Sequence, residues 1–210
     1  DLLVTAGFTE IYSHSFVSEG EANLFEVESP VSIDQKYLRP NIISQVIRTV
    51  ESNKRFFNKV KIFELGKVFD KEKGERRSLA GAITGDSFSE IKGALDFISK
   101  ESGLKFDYVI NRESDPYFIQ KADIIMDDDR IGSIGYLSDF IAFEIDFDKI
   151  IEKATEEKIY QPIAKYPESI RDLAVIVPED LSFKDLSDQI SSPLLKKIEL
   201  FDLYRGKGIP

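Results

Sequence analysis

Apolar positions along the chain change period several times, and each change marks an element. Leu2, Leu3, Val4 and Phe8 around Gly7 predict the end of a helix that stops near that glycine. Residues 10–17 have strand character, and residues 30–38 read as a connection. Beyond Pro40, the residues Ile42, Ile43, Val46, Ile47 and Val50 line one face of a helix, with the proline suited to its first turn. Residues 59–69 are β-rich, and Gly66 is a candidate break in that run. Glu72-Lys73-Gly74-Glu75 predicts a charged turn, and residues 79–84 a short strand. A helix is expected over 91–103, with Leu95, Phe97 and Ile98 apolar and Gly103 as its stop. Residues 122–126 and 130–137 flank Asp127-Asp128-Asp129 and read as a β-hairpin. Phe143, Ile145 and Phe147 alternate with charged residues as another strand. A helix over 148–158 follows, capped by Asp146 or Asp148.

Strands in series with helices between them, and more than one hairpin, favour an α+β fold with a mostly antiparallel sheet. The pattern changes around Ile159-Tyr160-Gln161-Pro162, so a boundary is expected near residue 160, separating residues 1–160 from 161–210. The second piece predicts a strand over 172–177, a helix over 183–191 and a strand over 198–204. A lone βαβ of this size has too little apolar surface to stand alone, so it reads as the front half of a larger domain. There is no internal repeat and no low-complexity tract.

Composition narrows the chemistry. The 210 residues begin with Asp1, and no targeting segment can be read from them. The net charge of −10 excludes a generally cationic coat for nucleic acid or membrane, though not a local basic site. Apolar residues at 42% and charged residues at 31% fit a globular protein. No apolar run approaches the ~20 residues that cross a bilayer. Without cysteine there is no disulfide, thiolate metal site or cysteine nucleophile. The one histidine, His14, leaves a Ser-His-Asp triad a poor fit. The simplest compartment is the cytoplasm.

Most candidate chemistry has a structural reading. Asp127-Asp128-Asp129 lacks the alternate spacing, glycine and distal glutamate of a calcium loop and reads as a turn. His14 reads as a strand residue. Gly132 and Gly135 suit bulges or close strand packing. No Walker A or dinucleotide-binding glycine pattern occurs. Lys153 to Lys158 is a solvated helix face. Residues 165–210 are more balanced, with seven Lys/Arg and eight Asp/Glu. There Lys196, Lys197, Arg205 and Lys207 gather near Phe201 and Tyr204. Cations with interleaved aromatics suit single-stranded RNA, through phosphate contact and stacking. Solvated strand ends around a core phenylalanine are the other reading.

Two segments carry a specific resemblance. Tyr166-Pro167-Glu168-Ser169-Ile170-Arg171-Asp172-Leu173-Ala174-Val175-Ile176-Val177-Pro178 and Glu199-Leu200-Phe201-Asp202-Leu203-Tyr204-Arg205-Gly206 resemble the opening and the second strand of a ferredoxin-fold anticodon-binding domain of phenylalanyl-tRNA synthetases. Upstream, Ser29-Pro30 with Tyr37-Leu38-Arg39-Pro40, then Ile62-Phe63-Glu64-Leu65-Gly66-Lys67-Val68-Phe69, and Ile91-Lys92-Gly93 resemble the catalytic-like module of the bacterial-type β chain of that family. The chain departs from the family at Tyr136-Leu137-Ser138-Asp139, where relatives often carry Glu-Leu-His-Pro. It also lacks the Pro-Gly-Arg often found before the Ser-Ala that Lys121-Ala122 matches.

The resemblance implies a class II synthetase-like module without catalysis. Gly7-Phe8-Thr9-Glu10-Ile11 resembles the first class II motif, without its usual proline. After Phe69, where active relatives place an Arg that grips the ATP α-phosphate, this chain has Asp70, which would repel a phosphate. Ile141-Ala142-Phe143-Glu144-Ile145-Asp146 has neither the glycine nor the arginine of the third motif. The family likeness implies that phenylalanine, ATP and Mg²⁺ belong to a separate α chain, in an α₂β₂ enzyme that binds tRNA(Phe). No cofactor is expected here, nor the editing and structural Mg²⁺ sites of upstream β-chain domains. Leu2, Leu3, Val4 and Phe8 are the expected subunit interface; Lys196, Lys197, Tyr204, Arg205 and Lys207 are the expected RNA contacts. With only the front half of its domain, the RNA surface is expected to bind the anticodon arm weakly. A free-standing ligase, and a regulatory or binding module derived from a class II synthetase, are the competing readings.

Overall fold

A computed structural model describes residues 1–18, 24–85, 88–155, 165–178, 181, 183–204 and 206. Residues 156–158 of the charge run, the expected boundary near residue 160, and Arg205 and Lys207 lie outside the described residues. The chain divides into two compact units, Asp1–Ile159 and Tyr160–Pro210.

The first unit is built on a seven-stranded sheet. Its strands are β1 (Thr9–Glu10), β4 (Lys61–Asp70), β5 (Gly74–Thr84), β6 (Asp107–Asn111), β7 (Gln120–Met126), β8 (Asp129–Tyr136) and β9 (Phe140–Asp146). They lie in the order β1-β4-β5-β9-β8-β7-β6. Only β1 runs parallel to its neighbour; every other pair is antiparallel. A separate ribbon pairs β2 (Phe16–Val17) with β3 (Tyr37–Leu38). Among the described residues the unit also has a 3-10 helix, Ile33–Gln35, and the α-helices α1 (Leu2–Thr5), α2 (Ile43–Asn53), α3 (Phe88–Glu101) and α4 (Phe147–Lys153). The antiparallel α+β architecture is as the sequence pattern predicts.

The sheet is buried on both faces, which is why its central strands read as continuous apolar runs rather than clean alternations. On one face Phe63, Leu79, Ile83, Ile134, Phe143 and Ile145 cluster with Leu3, with Ile91, Leu95 and Ile98 of α3, and with Ile150 of α4. On the other face Ile62, Val68, Ala80, Ala82 and Ala142 cluster with Ile42, Ile43, Val46 and Val50 of α2. Successive residues such as Ile62 and Phe63, or Ala142 and Phe143, therefore belong to opposite cores. Burying each large side chain contributes about 1.5–3 kcal/mol.

Local chemistry sets the element ends. Gly7, at φ +83°, stops α1. Asp127 and Asp128 both take positive φ, 49° and 67°, and close a two-residue turn between Met126 and Asp129. That conformation matches the twist of the paired strands and suits aspartate. Gly132 and Gly135 sit where a Cβ would fall 2.1 Å from the Glu144 carbonyl oxygen and 2.4 Å from that of Gln120, so close strand packing explains both. Asp146 caps α4 by accepting from the Lys149 N–H.

Several expectations need correction. The stretch 10–17 is not one strand. After Glu10 the chain leaves the sheet, because Ser13 and the His14 carbonyl are captured by polar side chains described below. β4 runs through Gly66 without a break. The short strand expected at 79–84 begins at Gly74, since its charged first half pairs with residues 66–70 of β4. α4 starts at Phe147 and ends at Lys153, short of residue 158. β6 was not expected at all.

In the second unit, α5 (Phe183–Gln189) forms where a helix was predicted. Residues 172–177 and 198–204 are not strand-paired among the described residues. Most of their apolar side chains are exposed, from Val175 at 54% to Phe201 at 77%, while Val177 and Ile198 are half-buried. Alternating sequence supplies a strand's side chains but not its partners, and two strands with one short helix bury too little to hold a ladder.

Candidate functional site

The face of the sheet beneath α2 carries two buried polar assemblies. Arg39 follows β3, and its backbone is fixed at both ends: its N–H donates to the Ser15 carbonyl at 2.9 Å, and its carbonyl accepts from the Phe69 N–H at 2.9 Å. Its guanidinium then passes close over Gly66, where a Cβ would fall 2.2 Å from Nη2. Only glycine permits that approach. Nη1 meets Glu64 Oε1 at 2.7 Å, Gln45 Oε1 at 2.7 Å and Ser13 Oγ at 2.9 Å, while Nε donates to the Lys67 carbonyl at 2.9 Å. The Gln45 amide donates in turn to the His14 carbonyl at 2.5 Å. Both ion-pair partners are nearly sealed from water, with side-chain exposures of 2% and 1%. An ion pair this deep persists only when further hydrogen bonds satisfy it, and this one has them.

The second assembly centres on Glu144 of β9. Its carboxylate accepts from the Ile42 N–H at 2.9 Å, the Ile43 N–H at 3.0 Å and the Ser78 hydroxyl at 2.6 Å. Ile42 cannot cap α2 with its own side chain, so the strand supplies the cap. Burial pushes the Glu144 carboxyl above the ordinary glutamate range, against those hydrogen bonds and the nearby Arg76 charge. Both assemblies spend their polar atoms on one another, so neither offers a group to a ligand.

Asp70 ends β4. Its carboxylate accepts from the Lys73 and Glu72 N–H groups, each at 2.9 Å, and closes the turn into β5. Those two bonds, with the Arg76 and Lys73 charges, hold its carboxyl below the usual aspartate range. Glu144 and Asp146 occupy the end of β9, with Asp146 Oδ2 3.7 Å from Arg76 Nε.

The expected interface residues divide. Leu3 and Phe8 are buried in the unit's own core, with Leu2 packed against it. Lys61 Nζ locks this corner, 4.9 Å from the Phe8 ring centre and 2.7 Å from both the Ala6 carbonyl and Glu90. Only Val4, at 53%, presents a largely exposed side chain. A residue flanking a helix stop can face its own sheet as readily as a partner, and here Leu3 and Phe8 do so. Of the expected RNA contacts, Lys196, Lys197 and Tyr204 are exposed, and Lys197 pairs with Glu199. His14 is exposed. Among the described residues no group of three acidic or histidine side chains could hold a metal ion, and no helix is long and apolar enough to cross a membrane.

The fold resembles solved aminoacyl-tRNA synthetases of class II type. A pyrrolysyl tRNA synthetase structure from Desulfitobacterium hafniense superimposes with a TM-score of 0.59 at 16% identity, covering 71% of this chain and 64% of that one. A second structure of pyrrolysyl-tRNA synthetase from that organism gives 0.58 at 17% identity, with the same coverages. The sequence defines the class further. Residues 1–151 match the family described as the phenylalanyl tRNA synthetase beta chain CLM domain, and the chain belongs to that family. Residues 164–210 match the ferredoxin-fold anticodon binding domain. Among curated relatives, the phenylalanine–tRNA ligase beta subunit of Dehalococcoides mccartyi is 27% identical over 97% of this chain. That of Thermosynechococcus vestitus is 28% identical over 98%, and that of Listeria monocytogenes 26% over 97%. The chain spans about 30% of the length of these relatives.

Proposed function

We propose that this chain is a non-catalytic portion of a phenylalanine–tRNA ligase β subunit. It supports assembly with a catalytic α chain and binding of tRNA(Phe) during aminoacylation in the cytoplasm. Phenylalanine, ATP and Mg²⁺ are held by the α chain of an α₂β₂ enzyme, and this portion holds no cofactor. The observation that carries the reading is Asp70. The position that follows the second-motif aromatic is committed to closing a turn, and its negative charge opposes a triphosphate. The buried carboxylate of Glu144 near the end of β9 supports the same reading, since the arginine expected of a third motif is absent there.

The test is phenylalanine-dependent ATP–pyrophosphate exchange, with co-purification of a co-expressed α chain as its companion. The isolated chain should give background exchange, while the assembled subunits exchange. Exchange by this chain alone, free of host enzyme, would overturn the reading. At the interface, Val4→Glu should weaken assembly while the fold persists. Leu3→Glu, by contrast, should unfold the unit itself.

A further inference from the structure

The sheet ends at β6, whose outer edge has no strand beside it among the described residues. On its inner side the strand is firmly held. It pairs with β7 in unbroken register, from Asp107 against Ile125 to Asn111 against Lys121. On the face that α3 covers, Asp96 Oδ1 accepts from the Tyr108 hydroxyl at 2.8 Å, and Lys92 Nζ lies 4.5 Å from the Tyr108 ring centre. At the far end the Asn111 amide donates to Asp123 Oδ2 at 2.8 Å, and Asn111 Oδ1 accepts from the Glu113 N–H at 2.8 Å. The outward backbone N–H and C=O groups are thus presented in a fixed extended row.

Sheet edges are ordinarily blunted by proline, lysine, a bulge or a covering element. β6 contains no proline, no lysine and no bulge. Its Val109 and Ile110 point to opposite faces and stand 51% and 71% exposed. The sequence also fits itself. With two copies antiparallel about Val109, the cross-strand neighbours are Val109 with Val109, Tyr108 with Ile110, Asp107 with Asn111 and Lys105 with Glu113. Paired β-branched residues, an aromatic against a β-branched residue and opposite charges are the favourable combinations. Centring on Ile110 instead would set Asp107 against Glu113, two like charges. Centring on Tyr108 would set Asp107 against Val109 and leave Lys105 facing Asn111. The Lys105 side chain is 82% exposed, with Asp107 3.7 Å away, and the exposed Glu113 carboxylate enters no ion pair among the described residues. One register therefore satisfies both the apolar and the charged positions.

We propose that β6 is a self-association edge, to which a second copy of this chain adds its own β6, antiparallel and centred on Val109. The two seven-stranded sheets then continue into one another. A two-fold axis through the Val109 pair keeps each face continuous, so Tyr108 and Ile110 of the two copies meet on the α3 face and the valines on the other. The contact lies at the opposite end of the sheet from β1. It leaves the expected α-chain surface around Val4 open, and it is independent of the function proposed above. Five strand residues a side fall well short of the roughly 20–30 of a standard interface, so the association is transient and depends on concentration.

The test is sedimentation velocity on the full chain, its concentration raised from micromolar to submillimolar. The parent should pass from monomer to dimer. Val109→Lys sets two ammonium groups directly opposite and should raise Kd about tenfold or more. Val109→Thr keeps the β-branched shape and should stay close to the parent, which separates the contact from damage to the strand. Lys105→Glu and Glu113→Lys should each dimerise more weakly alone. Mixed in equal amounts they should recover the parent's affinity, because the mixed pair restores both opposite-charge contacts. The chain has no cysteine, so Val109→Cys supplies a single thiol. With diamide as oxidant that variant should give a disulfide-linked dimer, since directly opposite strand residues lie within disulfide range. A parent that stays monomeric throughout, a dimer indifferent to Val109→Lys, or no recovery on mixing overturns the inference. So does Val109→Lys releasing a co-expressed α chain while self-association stays intact, which assigns the edge to that partner.

Discussion

The two units answer differently to the same kind of sequence. In the sheet unit, alternating and continuous apolar runs are buried between a neighbour strand on each side and helices on both faces. In the C-terminal unit, residues 172–177 and 198–204 also carry β-branched and large apolar side chains, yet most of these stand in solvent. Strand propensity measures fit to a half-buried pleated surface, so it becomes structure only where that surface exists. The difference lies in partners rather than in the residues themselves.

That contrast can be broken by substitution. The largest effects should fall in the sheet unit. Phe143→Ala should cost about 3–5 kcal/mol, whereas Phe201→Ala should cost within about 0.5 kcal/mol. Urea unfolding followed by circular dichroism would measure both, and equal costs would erase the distinction. Arg39→Ala should also cost about 3–5 kcal/mol, because Glu64 would be left charged and unpaired in the core. Glu144→Ala comes next, at about 2 kcal/mol, from the two helix N–H groups and the Ser78 hydroxyl left without an acceptor.

The smallest effect is the response to acid. Asp70, Asp148 and Glu90 are held below their ordinary range. The Lys73 N–H leads for Asp70, the Arg77 N–H for Asp148 and the Lys59 ammonium for Glu90. Below about pH 4 the unfolded chain then binds more protons than the folded one, so stability falls as pH falls. Asp70→Asn should make that fall shallower. Glu144 acts in the opposite sense: its carboxyl is raised, so its share of stability declines as pH rises above the ordinary glutamate value. Thermal unfolding across pH 2.5–6 would show the sum, and a melting temperature that rose with acidification below pH 4 would contradict the first assignment.

Legibility followed locality. The α2 stripe at Ile42, Ile43, Val46 and Val50 was readable because a helix closes on itself. The Asp127-Asp128 turn was readable because its conformation is decided by two residues. β6 was missed even though Tyr108, Val109 and Ile110 carry the signal; five residues at a sheet edge differ little from a loop. The charged start of β5 was hidden because Glu75, Arg76 and Arg77 become a strand only by pairing with β4. Among site features, the Asp70 substitution was evident from its place after Phe69. The burial of Leu3 and Phe8 was not, since one helix turn does not say which way it faces. Nor was the Arg39–Glu64 pair, whose members lie 25 residues apart and belong to types usually found in solvent. Gly66 held a clue, since a glycine inside a strand often marks a close approach.

The cap that β9 lends to α2 sets an order of events during synthesis. Ile43 and the carboxylate that receives its N–H are separated by 101 positions. The residues of α2 leave the ribosome several seconds before Glu144 is made, at about 5–20 residues added per second. Until then the helix has neither its acceptor nor the Ala142 and Phe140 side chains it rests on. Its apolar stripe is on display throughout that interval, and long-range closure of this kind slows folding. The growing chain therefore passes through a stage in which a helical sequence, its start capped only by Asn41 Oδ1 on the Ser44 N–H, waits with its apolar stripe exposed for a strand not yet translated. In that interval the exposed stripe is surface through which nascent chains can aggregate.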